Sequence, residues 1–359
     1  MMHKTVATLM LALYFCAHPA RAIEPLAPES MDEQHTFKIA ILQVTDIEPY
    51  QQALDGFMKT LATSGITSGK NLSVNRVKID FDIEKGGFWS RVGVLLRIRE
   101  EARRIALSQP DLVLTIGTPA TKYARGIMQD AHIPLVFTAV ASPEEVGCAS
   151  LIDGGPGVTG STLYTDMADS LTVVHQLFPA AHKIGMVHTD DENGVAHVAA
   201  AKASAPALGM SVTSQLVDKN DSIVPSLRAL YAEGAGVDMF AVPLDTYYGL
   251  HRYEAALDLG DFGTANKVPV VTLAMVPVPG AALYVGADFE LVGSLAGTQA
   301  ARILKRRTRT EMLPILRQET PTVLVDPARL AALNVALPAD MASHKTPIKN
   351  GLWQIETGK

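Results

Sequence analysis

The stretch TIGTPATKYA, residues 115–124, follows PDLVL and turns a buried apolar strand directly into a helix. Gly117-Thr118-Pro119 breaks the strand. Pro119 suits a first helical position, and Ala120, Thr121, Lys122 and Ala124 continue the helix. A strand that delivers the chain into a helix N-terminus, with a small residue and a hydroxyl at the junction, is the elementary unit of an α/β fold.

The unit recurs on both sides. Upstream, FKIAILQ (37–43) predicts a strand, 48–65 a helix with Ala53, Phe57 and Leu61 at helical spacing, 72–79 a strand and 89–109 a long amphipathic helix. Downstream, IPLVFTAV (133–140) predicts the next strand. Strands alternating with helices imply a parallel sheet covered on both faces. DGGPGVTG (153–160) reads as a connector, with four glycines in eight residues. The alternation then repeats: helix near 167–178, strand 183–188, helix near 193–207, strand 210–217, helix 220–234, strand 237–242, helix near 247–260 and strand 268–273. A late strand and helix in 282–306 and a strand with a short helix in TVLVDPARLAALNV fit either half, so a chain crossing back between lobes would form a multi-strand hinge. The reading is two doubly wound parallel-sheet lobes: 36–155 plus about 286–312, and 156–285 plus about 313–337, with 338–359 as a C-terminal tail.

Residues 1–22 are expected to be a cleaved secretory signal peptide. MMHK is positive, an apolar run follows, and Ala20-Arg21-Ala22 is an A-x-A site. The run is short for a membrane span, and bulky Phe15 precedes Cys16 where lipidation would need a small residue. The remaining Cys148 has no partner for a disulfide. The chain carries 31 Lys and Arg against 37 Asp and Glu. Without Lys4 and Arg21 this becomes 29 against 37, a net of −8, which argues against nucleic acid and an anionic membrane surface as partners.

The catalytic motifs are missing. Gly155, Gly157 and Gly160 match G-x-G-x-x-G formally, but a loop precedes them and a strand follows, the reverse of a dinucleotide site. There is no Walker A lysine, G-x-S-x-G elbow or H-E-x-x-H. The histidines show no metal-ligand spacing, so no cofactor or metal is expected. Asp190-Asp191-Glu192-Asn193 reads as a solvated, helix-capping loop, and KRRTR (305–309) as a solvated helix C-terminus.

What remains are the C-terminal ends of the strands, where open α/β sheets bind ligands. In the first lobe these hold Gln43, Thr118, Ala120, Thr121, Thr138 and Ser142, an almost wholly neutral set with helix-start N–H groups. Such a set suits a carboxylate, although Thr118 also has the role of N-cap open to it. The second lobe offers Asp245 as partner for an ammonium, Thr246 beside it, and Tyr247, Tyr248 and Met275 as walls.

The pieces KIAILQ, TIGTPAT, IPLVFTAVASPEEVG, GGPGVTG, KIGMVHTDDEN, KNDSIVPSLRAL, VDMFAVPLDT, VPVVTLA and ALYVGADFELVGSLAGTQAARIL, in this order over 37–335, resemble the bacterial ABC-transporter substrate-binding proteins of the tryptophan/tyrosine type. That resemblance implies a type I periplasmic binding fold with two lobes, three crossovers and a ligand trapped between them. It places Thr118, Ala120, Thr138, Ser142 and Gln43 on first-lobe cleft positions, Tyr164 just past the crossover, and Asp245 and Thr246 on the second-lobe loop. Asp288 falls on the acidic position after the late strand. One departure is Thr272-Leu273-Ala274-Met275, where many relatives carry Ser and Asp; it implies a less polar wall. The implied activity is non-catalytic capture of a carboxylate-bearing amino acid or aromatic metabolite by a periplasmic monomer serving an ABC permease and its ATPase. Sensing for a membrane kinase or cyclase, and cleft catalysis by His188 with Asp190, are the alternatives. The five arginines of 89–109 fit only as surface.

Overall fold

The computed structural model describes residues 35–44, 46–79, 88–232 and 236–356, with side chains in the helix beginning at Phe88 described from Val92. The expected signal peptide lies outside the described residues. Among them, no helix is long and apolar enough to cross a membrane.

The first sheet grows from β1 (Phe37–Gln43), α1 (Glu48–Thr63), β2 (Leu72–Lys78), α2 (Phe88–Leu107), β3 (Leu112–Ile116), α3 (Thr118–Asp130), β4 (Leu135–Val140) and β5 (Val158–Thr162). β3 and β4 are buried at every position, as a strand covered on both faces must be. The second sheet follows with α4 (Met167–Leu177), β6 (Lys183–His188), α5 (Glu192–Ser204), β7 (Ser211–Leu216), α6 (Val224–Ala232), β8 (Met239–Val242), α7 (Glu254–Asn266), β9 (Val270–Thr272) and β10 (Leu283–Gly286). The chain then returns through α8 (Phe289–Arg306) and β11 (Leu316–Arg317) to the first sheet. It ends in the second through β12 (Thr322–Val325), α9 (Pro327–Ala332), α10 (Ala339–Ser343), β13 (Lys345–Pro347) and β14 (Trp353–Ile355).

The strand orders are β11-β5-β4-β3-β1-β2 and β13-β14-β12-β10-β9-β8-β6-β7. The connections between sheets run through 163–166, 287–288 and 318–321. Pairing is parallel throughout the first sheet and from β7 to β10, and antiparallel from β12 outward.

The expected division of the chain shifts in three places. Val158–Thr162 pairs with β4, so the glycine-rich stretch before it is a turn within the first lobe and the crossover comes after it. Leu316–Arg317 also joins the first sheet, pairing with β5. The C-terminal tail is a hairpin on the second sheet, because β14 finds the free edge of β12. The helix expected near 247–260 starts only at Glu254: His251, Arg252 and Tyr253 hold φ of 47°, 57° and 67° and interrupt it.

α8 is locked to the first lobe by close approach to α1. A Cβ at Gly56 would overlap the Glu290 carbonyl, and one at Gly293 the Ala53 carbonyl. Two helix backbones meet there without side chains between them, so replacing either glycine forces them apart. On the other face of the sheet, Ile98, Ala102 and Ile105 of α2 and Ala120, Ala124 and Met128 of α3 pack on Val113, Leu135 and Phe137. In the second lobe, α4 and α5 cover one face and α6 and α7 the other.

Candidate ligand-binding site

Parallel strands put all their C-terminal ends on one edge of each sheet, and the two edges meet. Thr118 Oγ1 at the start of α3 donates to Asn193 Oδ1 at the start of α5, at 3.3 Å. Lys122 Nζ lies 2.7 Å from Glu192 Oε1. Tyr253 donates its hydroxyl to Glu48 Oε2 at 3.3 Å, and Gly249 sits close to Ile47. Two helix N-termini, one from each lobe, thus meet at the boundary between the lobes, where a cleft would open.

They are finished differently. The N-cap of α3 is Gly117, at φ 87° and ψ 162°, and no side chain caps the helix. Thr118 is therefore not the cap; it is the first helical residue and its hydroxyl points to the other lobe. The α5 terminus is capped by Asp191, whose Oδ1 accepts from the N–H groups of Asn193 (3.0 Å) and Gly194 (3.5 Å). Asp191 Oδ2 accepts from Thr246 Oγ1 at 2.8 Å, with Lys219 Nζ at 3.8 Å. One side of the cleft is electropositive backbone and the other carries a carboxylate.

Tyr50, at the start of α1, completes the arrangement. It is 6% exposed, and its hydroxyl lies beside Gly117, where a Cβ would be 2.7 Å from Oη. Burial raises its pKa, and the charge of Asp191 from the opposite lobe adds to the rise. No group among the described residues hydrogen-bonds this hydroxyl. The sequence offered a signal for it, since Glu48-Pro49-Tyr50 opens the helix after the first strand, where the rule used for Thr118 applies equally.

Several expected site residues belong instead to the interior. Thr138 accepts from Ser161 Oγ at 3.2 Å, and Ser161 also donates to the Val292 carbonyl, so Thr138 faces the core toward α8. Thr121 donates to the Gly117 carbonyl at 2.9 Å and pairs with Thr115. The Ala120 side chain is in the core, leaving only its N–H for the cleft. Gln43 is fully buried, with Oε1 accepting from Arg76 at 2.6 Å. Asp288 caps α8 through the Leu291 N–H at 2.8 Å. Tyr164 lies 37% exposed on the crossover, beneath the Arg317 guanidinium. Ser142 and Met275 remain at their strand ends, half-buried, with no capping bond from Ser142.

Asp245 departs furthest from expectation. It is 2% exposed and accepts from Thr189 N at 2.7 Å, from Thr189 Oγ1 at 3.0 Å and from Tyr247 N at 2.9 Å. Burial raises its pKa, with Asp191 adding to the rise against these bonds. With each of these bonds inside its own lobe, the carboxylate organises its own loop. His188 donates Nδ1–H to the Thr189 carbonyl at 2.8 Å, which ties the ring to its own loop.

Two α/β lobes joined by three connections, closing two sheet edges on one cleft, define a type I periplasmic binding protein architecture. The chain belongs to the ABC transporter substrate binding protein family, whose pattern it matches over residues 38–347. It is 24% identical over 307 residues to a tyrosine-binding protein of Clostridioides difficile (strain R20291), covering 85% of this chain and 83% of that protein. An ABC domain from Streptococcus pneumonia in complex with L-Trp superposes with a TM-score of 0.71 at 19% identity, covering 86% of this chain and 98% of that one. A substrate binding protein with adhesive properties from Clostridium difficile, in a ligand-free, open structure, gives 0.66 at 24% identity over 85% and 97% of the two chains.

Proposed function

We propose that the chain is the periplasmic solute-binding component of an ABC importer, capturing an amino acid with an aromatic or other apolar side chain and presenting it to a permease driven by its ATPase. The observation that carries this reading is the uncapped start of α3, with the Thr118 hydroxyl, opposite Asp191 at the start of α5. A zwitterion fits that polarity: its carboxylate goes to the N–H groups and Thr118, its ammonium to Asp191 and the Tyr50 side of the cleft. The role first assigned to Asp245 passes to Asp191, which lies on the cleft side of the same acidic pair. Met275, half-buried at its strand end, supplies an apolar side, while Leu273 and Ala274 belong to the core of the second lobe. The tyrosine named for one relative and the L-Trp held by one structural neighbour are consistent with this class.

Capture works by closure. Ligand binds one lobe first, and the second then contacts it, shifting an open–closed equilibrium. The Lys122–Glu192 and Tyr253–Glu48 pairs are the contacts that closure forms across the rim. Calorimetric titration with tyrosine and tryptophan and with their amides tests the assignment. Thr118→Val removes a hydrogen bond to a charged group, worth about 1.5–3 kcal/mol, so affinity for the carboxylate form falls about ten- to a hundredfold and for the amide much less. Unchanged affinity of the carboxylate form ends the reading.

A further inference from the structure

The outer side of α2 does not behave as an ordinary solvated helix face. Ile98, Ala102, Ile105 and Ala106 bury one side against the first sheet. On the opposite side, at about 100° per residue, Leu96, Arg103 and Leu107 fall along one crest with Glu100 beside it, and Arg99 and Arg97 lie farther round, one on each flank. Leu96 is 65% exposed and Leu107 83%, among the most exposed large apolar residues of the described chain. The helix also carries its charge unevenly. Arg104 is neutralised by Glu100 at 2.6 Å and Glu101 at 3.0 Å. Arg97, Arg99 and Arg103 have no acidic partner within ion-pair distance among the described residues. The stretch 96–107 thus carries four arginines against two glutamates, three of the arginines unpaired among the described residues, beside two projecting leucines on a chain whose net charge is −6.

We propose that this face of α2 docks the protein on an anionic lipid surface, with Arg97, Arg99 and Arg103 at the headgroup phosphates and Leu96 and Leu107 entering the interface. The charge complementarity is local and specific. An acidic molecule is repelled by an anionic surface everywhere else, so this stripe would also fix the orientation in which it approaches. The leucines lie 11 positions apart, about 16 Å along the axis, on a convex helix. A fluid headgroup layer conforms to such a crest, and the arginine stems can lie along it while their guanidinium groups stay wet. Docking of this kind keeps the protein near the membrane without a covalent anchor. The inference stands independently of which solute the cleft holds.

Flotation of the processed chain, without the expected signal peptide 1–22, with phosphatidylcholine vesicles and with phosphatidylcholine–phosphatidylglycerol vesicles tests it. Each arginine near an anionic surface contributes about fivefold to partitioning, so R97Q/R99Q/R103Q should bind the phosphatidylglycerol vesicles about a hundredfold more weakly than wild type. Raising the salt should lower wild-type binding, while L96S/L107S should weaken binding and keep the salt dependence. All five side chains are outside the core, so the melting temperature serves as a control for folding. Equal binding of the triple variant and wild type, or equal binding of wild type to both kinds of vesicle, overturns the proposal.

Discussion

Gly117→Ala is the most informative single change, because one position holds both the helix start and the tyrosine of the cleft. Its φ of 87° with ψ of 162° is a conformation open essentially to glycine alone, so alanine there costs about 1–3 kcal/mol in backbone strain. The added Cβ would sit 2.7 Å from Tyr50 Oη and 3.0 and 3.1 Å from two ring carbons. All three contacts are at the distal end of the ring, so that end must be displaced. Tyr50 stands on α1, which is pinned where Gly56 meets the Glu290 backbone and Ala53 meets Gly293 of α8, so the helix cannot shift to relieve it. Overpacking of this kind adds about 1–3 kcal/mol. The expected loss is about 2–6 kcal/mol, read by urea denaturation of the ligand-free protein, with ligand affinity falling as the Tyr50 hydroxyl is displaced. In a Tyr50→Ala background only the strain remains, so the double-mutant cycle should show a coupling of about 1–3 kcal/mol. A Gly117→Ala protein within about 0.5 kcal/mol of wild type, or strictly additive mutants, would refute the geometry.

Tyr50→Phe removes a hydroxyl that no group among the described residues hydrogen-bonds, so stability should hold while ligand affinity falls about two- to tenfold; an unchanged titration would take Tyr50 out of the site. Asp245→Ala strips the acceptor from the N–H groups of Thr189 and Tyr247 and should cost about 2–4 kcal/mol of stability, with equal effects on amino acids and their deaminated analogues; a loss confined to amino acids would restore Asp245 as the ammonium partner. Burial lowers the pKa of His197 from 6.5 to about 4, and its Nδ1 accepts from the Leu244 N–H at 3.2 Å. Its stabilising contribution is therefore complete above pH 6.5 and is lost as pH falls toward 4, by at most about 3 kcal/mol. His197→Asn keeps an acceptor in place and should flatten that part of the stability–pH curve; identical slopes for the two proteins would show that His197 is not the group titrating.

How far the sequence led follows from which forces each feature depends on. The βα units were legible because strands buried on both faces are written as apolar runs, LVLTI and LVFTAV among them, and because Gly117 and Pro119 punctuate the junction locally. The same double burial hid the site. Where every position of β4 is buried, no alternation tells a cleft-facing hydroxyl from a core one, and Thr138 reads the same either way until its bond to Ser161 is seen. The three-residue strands β13 and β14 carry too little pattern to announce pairing, since what recruits them is the open edge of β12. Nor does any Gly or Pro mark the left-handed run at His251–Tyr253 that delays α7.

The two aspartates show where local reading stops. Asp191 and Asp245 are both caps, each the residue before a helical turn, and their sequence contexts differ little. What separates them is long-range. Asp245 is enclosed by Thr189 from a neighbouring strand end and by Gly194, which has no side chain to hold it off. Asp191 is left with an edge toward Tyr50 of the other lobe. Under the proposed function, the carboxylate that meets a ligand is selected by the approach of two separately folded sheets, a contact that no window of sequence contains. The signal in such a chain is therefore the position of a residue at a strand's C-terminal end. Tyr50, which satisfies that rule with a residue type less often sought than a hydroxyl or an acid, is where it would have paid to apply it evenly.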